Sequence, residues 1–559
     1  MDVLQQRKEI EERIAGETFC TRLERTVAER GDEPAYSDKI GIPAGEPGWR
    51  TLTWSEVRGQ VLDLAAGLAQ LGVSAGDTVA IMASNRVEHV LADIAAVHAG
   101  TTPMSVYATL APDQVAFVAG HAEPTVVVLE GEDQARRWEK ALADAPSVKA
   151  VVVLDPATTG LDPRATTWED VLERGRQARA DGAAEYDARW RAVSPDDALT
   201  ILYTSGTTGN PKGVVLTHHN ILFETESSLR TSQMFEPGTG VSYLPFAHIA
   251  ERMLGIYIPQ FQGAHVHLVG DPALLLGALG EVRPSRFFGV PRVWEKIRTG
   301  VSGLMAAETD EDKRAAVERA MQVGLRYVES RQLGQETPAE LAEEFAAMDA
   351  AVLAPIRALL GLDRVEWAAS AAAPMPLEVA RFFAGLGMEI YDVYGMTETS
   401  AVVTANGPGA FRLGSVGRPV AGVEVRLGDD DEILVRGPVT TPGYFRADDA
   451  TRALVFGEGR PYCVAVLTLD GEVAPVLARK HGIEFDDLAD LARNPQVLGL
   501  VQQAVDSANE RLSRPEQVKR FELLPVEWTA ESDELTPTLK LKRRVVHSKY
   551  EDVLDRLYS

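Results

Sequence analysis

Cysteine is nearly absent from this chain of 559 residues: Cys20 and Cys463 are the only two. Two cysteines cannot build a disulfide framework, and neither stands in metal-ligand spacing, so a reducing cytoplasm is the expected setting. Positive charge is also in short supply. Lys and Arg number 56 against 82 Asp and Glu, a net charge of −26. A duplex-binding protein needs a basic surface to displace condensed counterions, so no general nucleic-acid binding is expected. An anionic substrate would have to be met by a few locally gathered cations. Long apolar runs are missing too. No uninterrupted stretch of about 18 apolar residues occurs, and Met1 to Cys20 alternates charge with short apolar steps and has no signal-peptide core. A soluble protein is expected; peripheral membrane contact and oligomeric state are left open. The chain has no internal repeat, no low-complexity tract and no convincing Ser-His-Asp set.

What is present reads as a large α/β body. Hydrophobic residues make up 45% and charged residues 25%, a globular balance that excludes disorder as the main state. Thr53 and Glu56 form a capping box, and Val57, Val61, Leu64, Leu68 and Leu71 then mark one face of a helix that stops at Gly72. Short β-branched runs alternate with further helical stretches: Val79–Met82, 124–129, 148–154, Leu199–Thr204, Val241–Leu244, 266–269, 286–290, 365–368 and 389–393. That alternation predicts doubly wound parallel sheets covered on both faces. A helical excursion spans about 302–360, a small β-rich lobe follows Pro419, and the final hundred or so residues read as a compact α+β unit. The expected division is 1–455 for the N-terminal domain and 456–559 for the C-terminal one.

The most informative stretch is Leu202-Tyr-Thr-Ser-Gly-Thr-Thr-Gly-Asn-Pro-Lys-Gly-Val-Val215. Gly206, Gly209 and Gly213 permit tight turns. Thr204, Ser205, Thr207 and Thr208 supply hydroxyls, and Lys212 supplies a cation, the donors that a polyphosphate needs. It is not the common P-loop, because Pro211 precedes the lysine and Gly213 follows it. A second segment, Tyr391-Asp-Val-Tyr-Gly-Met-Thr-Glu-Thr-Ser400, reads as a strand end turning at Gly395. Tyr394, Thr397 and Glu398 leave it together, and their oxygens suit a hard ion such as Mg²⁺.

Together these segments resemble the adenylate-forming superfamily of acyl-CoA synthetases, luciferases and adenylation domains, from about Thr53 to the C-terminus. The resemblance implies that ATP, Mg²⁺ and coenzyme A are used. It implies that the loop from Thr204 through Ser205, Gly206, Thr207, Thr208 and Gly209 to Lys212 holds the β- and γ-phosphates. It places the nucleotide along Ala371, Ala372, Asp392, Val393, Tyr394, Gly395, Met396 and Thr397, with Tyr394 against adenine and Thr397 near the α-phosphate. Glu398 and Thr204 are the implied magnesium ligands. The small-residue turn Ser370-Ala-Ala-Ala-Pro374 stands where family members often carry glycine.

Tyr243-Leu-Pro-Phe-Ala-His-Ile-Ala-Glu-Arg252 is similar to the LPxxHxxER segment of long-chain fatty acyl-CoA synthetases, which puts His248 by the substrate carboxylate, although locally His248 reads as part of a strand edge. Val290-Pro-Arg-Val-Trp-Glu-Lys296 is a second signature of that subgroup, and together they favour a long aliphatic acid. Near the C-terminus, Lys540 matches the family lysine that reaches the carboxylate and α-phosphate; Lys542, Arg543 and Arg544 stand beside it as CoA-phosphate contacts or charge balance. Catalytic roles thus fall on Lys540, Lys212, Thr397 and His248.

One departure matters. Between about Leu454 and Phe456 the chain passes from text resembling the family before its ribose-binding aspartate to text resembling the family well beyond it. Several dozen residues are expected to be missing there, including the interdomain hinge and a Gly-rich loop used in thioester formation. The expectation is therefore a long-chain fatty acid–CoA ligase, with two alternatives: adenylate formation with a carrier protein as acceptor, or an impaired nucleotide- and acyl-binding member.

Overall fold

The computed structural model describes residues 2–558 except 44, 45, 47, 205–210, 429–431, 447–450, 457–462, 470, 472, 510–516, 529–531, 533, 535–545, 547 and 548. The chain forms two compact units. The larger ends at Phe445 and the smaller is built on Arg446–Ser559, so the change of unit falls ten residues before the 455/456 division expected from the sequence.

Among the described residues the larger unit holds two main sheets. Five strands, in the order Thr102–Ser105, Thr78–Met82, Val126–Leu129, Ala150–Val153, Ala165–Thr167, are all parallel. The inner strands are buried on both faces, which is why they read as unbroken Val and Ile runs. The second sheet has nine strands. Its centre is Ile390–Tyr394, Trp367–Ser370, Arg286–Phe288, Thr239–Ser242 and His265–Leu268, all parallel to one another. The capping box is present: Thr53 Oγ1 accepts the Glu56 amide at 3.2 Å, and Glu56 returns a carboxylate oxygen to the Thr53 amide at 2.7 Å. The helix it starts, Trp54–Gln70, ends before Gly72 as expected. The helical excursion is real, with helices Pro291–Ala307, Glu311–Ser330 and Ala339–Met348.

Three features escape the sequence reading. The strands Pro34–Asp38 and Arg50–Thr53, the second of them at the edge, complete the nine-stranded sheet, and a long helix, Trp168–Arg191, packs on Trp54–Gln70. In the smaller unit, Thr451–Phe456 pairs antiparallel with Cys463–Leu469, which pairs parallel with Val518–Leu524. The apparent junction in the sequence is therefore one continuous sheet edge. No helix among the described residues is long and apolar enough to cross a membrane.

Candidate active site

Four adjacent parallel strands, Ile390–Tyr394, Trp367–Ser370, Arg286–Phe288 and Thr239–Ser242, end along one edge of the large sheet. Ligands of open parallel sheets sit just outside that edge. The chain continues from these strand ends into the Gly395 turn, the small-residue turn, the Val290–Lys296 signature and the His248 segment, so one edge gathers motifs that are far apart in sequence.

The small-residue turn follows Ser370, which is in register with Asp392. Ala372 is exposed and has φ +73°, a left-handed conformation that costs a residue with a Cβ about 1–2 kcal/mol. The place where the family favours glycine is thus the place where this chain is strained. The Asp392 carboxylate is half-buried and makes no hydrogen bond among the described residues; burial pushes its pKa up to about 6. Val393 packs against the core, so its side chain turns away from the edge and only its backbone is left to face a nucleotide. Met396 is exposed.

At Gly395 the chain reverses so tightly that a Cβ would lie 1.6 Å from the Ala401 carbonyl oxygen, which explains why no other residue fits. A single 3-10 turn, Thr397–Thr399, follows. Its Thr399 hydroxyl bonds back to Met396, which leaves Thr397 and Glu398 half-exposed. The Thr397 hydroxyl makes no hydrogen bond among the described residues. One carboxylate oxygen of Glu398 accepts from the Tyr444 hydroxyl at 2.8 Å, and no cation pairs with Glu398 among the described residues. A carboxylate with one oxygen uncommitted and no resident positive partner fits the requirement of a hard divalent ion that shares its shell with phosphates.

The phosphate loop is flanked by Ala198–Thr204 and Lys212–Thr217, neighbours in one three-stranded sheet. Thr204 ends the incoming strand and Lys212 begins the outgoing one. Ser205, Gly206, Thr207, Thr208, Gly209 and, at the far end of the chain, Lys540 lie outside the described residues. The outgoing strand is tied to the acidic turn by one strap, Val439–Phe445. Ser400 Oγ donates to the Val439 carbonyl at 2.6 Å, and the Thr441 amide donates to the Glu398 carbonyl at 2.8 Å. From the other side of the strap, Thr441 Oγ1 donates to the Val215 carbonyl at 2.5 Å and the Phe445 amide to the Gly213 carbonyl at 2.7 Å. Gly443–Tyr444 adds an antiparallel pair with Val215 and Val214. The loop's exit and the proposed metal carboxylate are therefore fixed on one piece of backbone.

On the acyl side the structure corrects the sequence reading. His248 is not at a strand edge; the strand ends at Ser242, and His248 caps a one-turn helix, Ile249–Arg252. Its Nδ1 accepts the Ala250 amide at 3.2 Å, so the neutral ring carries its proton on Nε2. Burial holds its pKa below the usual value, which keeps the ring neutral. The last two residues of the motif point inward. Arg252 is fully buried and donates to Asp93 at 2.5 Å, Ser105 at 2.9 Å and Tyr257 at 2.9 Å. Glu251 is buried and takes the Leu244 amide at 3.3 Å; burial pushes its pKa up to about 7. A small, mainly apolar cavity lies against this segment, with Val241, Leu254, Ile258, Phe288, Trp367 and Glu251 on its wall. The Val290–Lys296 signature is mainly structural as well. Pro291 starts the helix, and Trp294 is buried between Phe287 and Phe383 with its indole N–H on the Ala369 carbonyl at 3.3 Å.

Sequence reasoning passed over Asp93 and Tyr444. Neither carried a signal of its own, since Asp93 shares its helix with other polar residues such as Glu88 and His89.

Comparison with known proteins fits this geometry. Residues 23–445 match the AMP-binding enzyme family, ending where the larger unit ends. A Mycobacterium tuberculosis protein provisionally named fatty-acid–CoA ligase fadD11 is 36% identical over 434 residues, covering 67% of this chain and 76% of the relative. Long-chain-fatty-acid–CoA ligase FadD15 of Mycobacterium bovis is 28% identical, covering 91% of this chain and 93% of the relative. That alignment runs over 577 residues, more than the 559 this chain possesses, so this chain lacks positions present in the relative. Among solved structures, a benzoate CoA ligase from Burkholderia xenovorans superposes with TM-score 0.58 at 18% identity, covering 95% of this chain and 99% of that one, a likeness of fold. With its strand-edge site, its strapped acidic turn and a family match over most of its length, the chain belongs to the AMP-binding enzyme family.

Proposed function

We propose that this protein is a long-chain fatty acid–CoA ligase acting in the cytoplasm: it joins a fatty carboxylate to the AMP moiety of ATP, then passes the acyl group to coenzyme A. The observation that carries the reading is the strap from Val439 to Phe445, which holds the Glu398 turn and the exit of the phosphate loop as one unit. The names of the two mycobacterial relatives support the acyl class.

In the first step a carboxylate oxygen attacks the α-phosphorus, the bond to pyrophosphate breaks, and acyl-adenylate forms. Lys212 and the loop hydroxyls hold the β- and γ-phosphates. Thr397 donates to an α-phosphate oxygen, where charge builds in the transition state. Tyr394 lies against adenine, and Asp392 accepts from its amino group. His248 donates from Nε2 to the substrate carboxylate. Lys540 neutralises the charge between carboxylate and phosphate. Glu398 and Thr204 would hold Mg²⁺, which when bound lowers the negative charge on the phosphate oxygens. In the second step the CoA sulfur attacks the acyl carbon, the thiol proton goes to solvent and AMP leaves. Positioning supplies most of the acceleration.

A specific observation favours a second reading for the second step: positions of the FadD15 relative are missing from this chain, and the sequence places the loss in the hinge and thioester-forming segments. In that reading adenylation persists while transfer to CoA is slow, or the acceptor is a carrier protein. Incubation with palmitate, ATP, Mg²⁺ and CoA separates the readings. Stoichiometric palmitoyl-CoA and AMP support the ligase. Pyrophosphate release without palmitoyl-CoA supports adenylation only, and ATP binding without pyrophosphate release overturns both.

A further inference from the structure

The cavity beside Glu251 reaches along the large sheet, away from its ligand edge, and strand register sets its floor. Val266, Gly240, Arg286 and Trp367 stand in one row across four adjacent parallel strands: Gly240 is opposite both Val266 and Arg286, and Arg286 is opposite Trp367. All four line the cavity. Residues two apart on a strand share a face, so Leu268, Ser242 and Phe288 form the next row on that face, each the last residue of its strand. The first row therefore lies one pleat, about 7 Å, behind the edge. Leu254 and Ile258 form the opposite, helical wall.

Arg286 is the charged member of that row. It is half-buried, no carboxylate pairs with it among the described residues, and burial lowers its pKa to about 10. Its partners are neutral: Nη1 donates to Gln262 Oε1 at 2.6 Å, and Nη2 donates to the Glu236 carbonyl. Gln262 Nε2 in turn donates to the carbonyl of Met234 at 2.6 Å, and Met234 lies on the cavity wall. A Cβ on Gly238 would stand 2.7 Å from Arg286 Nε, so glycine there lets the arginine cross the turn between helix His218–Thr231 and strand Thr239–Ser242. These bonds make a polar cap over the end of the cavity farthest from the ligand edge. So capped, the cavity measures about 40 Å³, room for a few waters and too little for a palmitoyl chain. Gly240 is where the floor is lowest: a Cβ there meets nothing nearer than the Arg286 carbonyl oxygen at 4.0 Å among the described residues.

We infer that Arg286 is the chain-length gate of the acyl site: latched to Gln262 and Glu236 it stops a chain one pleat behind the strand ends, and swung out to solvent it lets a longer chain run on past Gly240. The latch can open because it gives up neutral acceptors and no carboxylate. Its bond to Glu236 lies at the surface, so the guanidinium regains water as it leaves. A long chain offsets the lost bonds with each further methylene it buries, whereas a short chain does not reach the latch. The inference rests on the ligase reading, which makes this cavity the acyl site, and it adds the residue that limits the length of the acid.

The test uses the full chain and compares kcat/KM for arachidate and laurate in fatty-acid-dependent ATP–pyrophosphate exchange. Arg286→Ala removes the latch and should raise the arachidate-to-laurate ratio about tenfold, the scale of a methylene or more in an apolar pocket, with the KM for ATP changed less than about twofold. Gly240→Val fills the floor and should lower the same ratio about tenfold, with Gly240→Ala standing in if the valine variant does not fold. An unchanged ratio in folded Arg286→Ala overturns the inference, as does an equal loss for both acids. An unchanged ratio in the Gly240 variant overturns the assignment of the cavity to the acyl chain, and the inference with it. If Arg286→Ala does not fold, Gln262→Ala unties the same latch with the arginine in place: a raised ratio supports the inference and an unchanged one overturns it. A wild-type protein without pyrophosphate exchange for either acid would overturn the ligase reading. Displacement of bound cis-parinarate by the two acids then decides this inference: a Kd ratio shifted toward arachidate in Arg286→Ala supports it, and an unshifted ratio or no displaceable binding overturns it.

Discussion

Two segments leave the same sheet edge and look alike as sequence, each a compact run of aromatic, hydroxyl and charged residues. In Tyr243–Arg252 most polar atoms are spent inside the protein: Arg252 on Asp93, Ser105 and Tyr257, Glu251 on Leu244, and His248 Nδ1 on its own helix. In Tyr391–Ser400 the hydroxyls of Tyr391, Thr399 and Ser400 are spent inside the protein, but others are left over. Asp392 and Thr397 have no side-chain hydrogen bonds among the described residues, and Glu398 uses one oxygen on Tyr444. A motif can therefore mark a place where the fold is built or a place where a ligand is met, and only the accounting of hydrogen bonds tells the two apart.

Substitution should separate these roles sharply. The largest effect is expected at Arg252. Arg252→Met leaves Asp93 buried without its cation, a loss of about 3–5 kcal/mol, and thermal denaturation should show a large fall in Tm with activity lost in proportion to folded protein. A Tm within a degree of wild type would erase the contrast. Next is Glu398→Gln, expected to reduce pyrophosphate release about 10²–10³-fold, the scale of losing a charge-stabilising group at the reacting phosphate, with Tm unchanged. Thr397→Val removes one neutral donor and should cost about tenfold in kcat/KM, read in the same assay.

The amount visible in the sequence follows the same division. The buried parallel strands were legible because both faces are apolar, so Val126–Leu129 and Ala150–Val153 read as continuous runs. The strands Pro34–Asp38 and Arg50–Thr53 were not: the first buries polar Ser37 and Asp38 beside Ala35 and Tyr36, and the second is a largely polar edge strand, so neither shows an apolar pattern. The helix Trp168–Arg191 buries only Trp168, Val171, Gly175 and Trp190, too few to mark a stripe. At the site, Gly395 and Glu398 were legible as chemistry. The inward course of Arg252 and the cap at His248 depend on partners more than a hundred residues away or on backbone that only folding brings close. The phosphate-loop residues 205–209 and Lys540 rest on sequence alone.

The smallest predicted effect is on stability against pH. Asp392 has its pKa raised by burial from 3.8 to about 6, so the folded state binds the proton more tightly than the unfolded chain. Its contribution is present in full below the unfolded value and is lost as pH rises through the folded one. Asp392→Asn should therefore match wild-type Tm near pH 4 and exceed it above pH 7. The reverse ordering would show that the carboxylate has a cationic partner.

The central claim is that the acidic turn and the phosphate-loop exit act together on one triphosphate. Palmitate-dependent exchange of labelled pyrophosphate into ATP tests it most directly, comparing wild type with the double variant Lys212→Ala, Glu398→Gln. The account predicts exchange in the wild type and its loss in a double variant of unchanged Tm. Exchange at the wild-type rate in the folded double variant would contradict it.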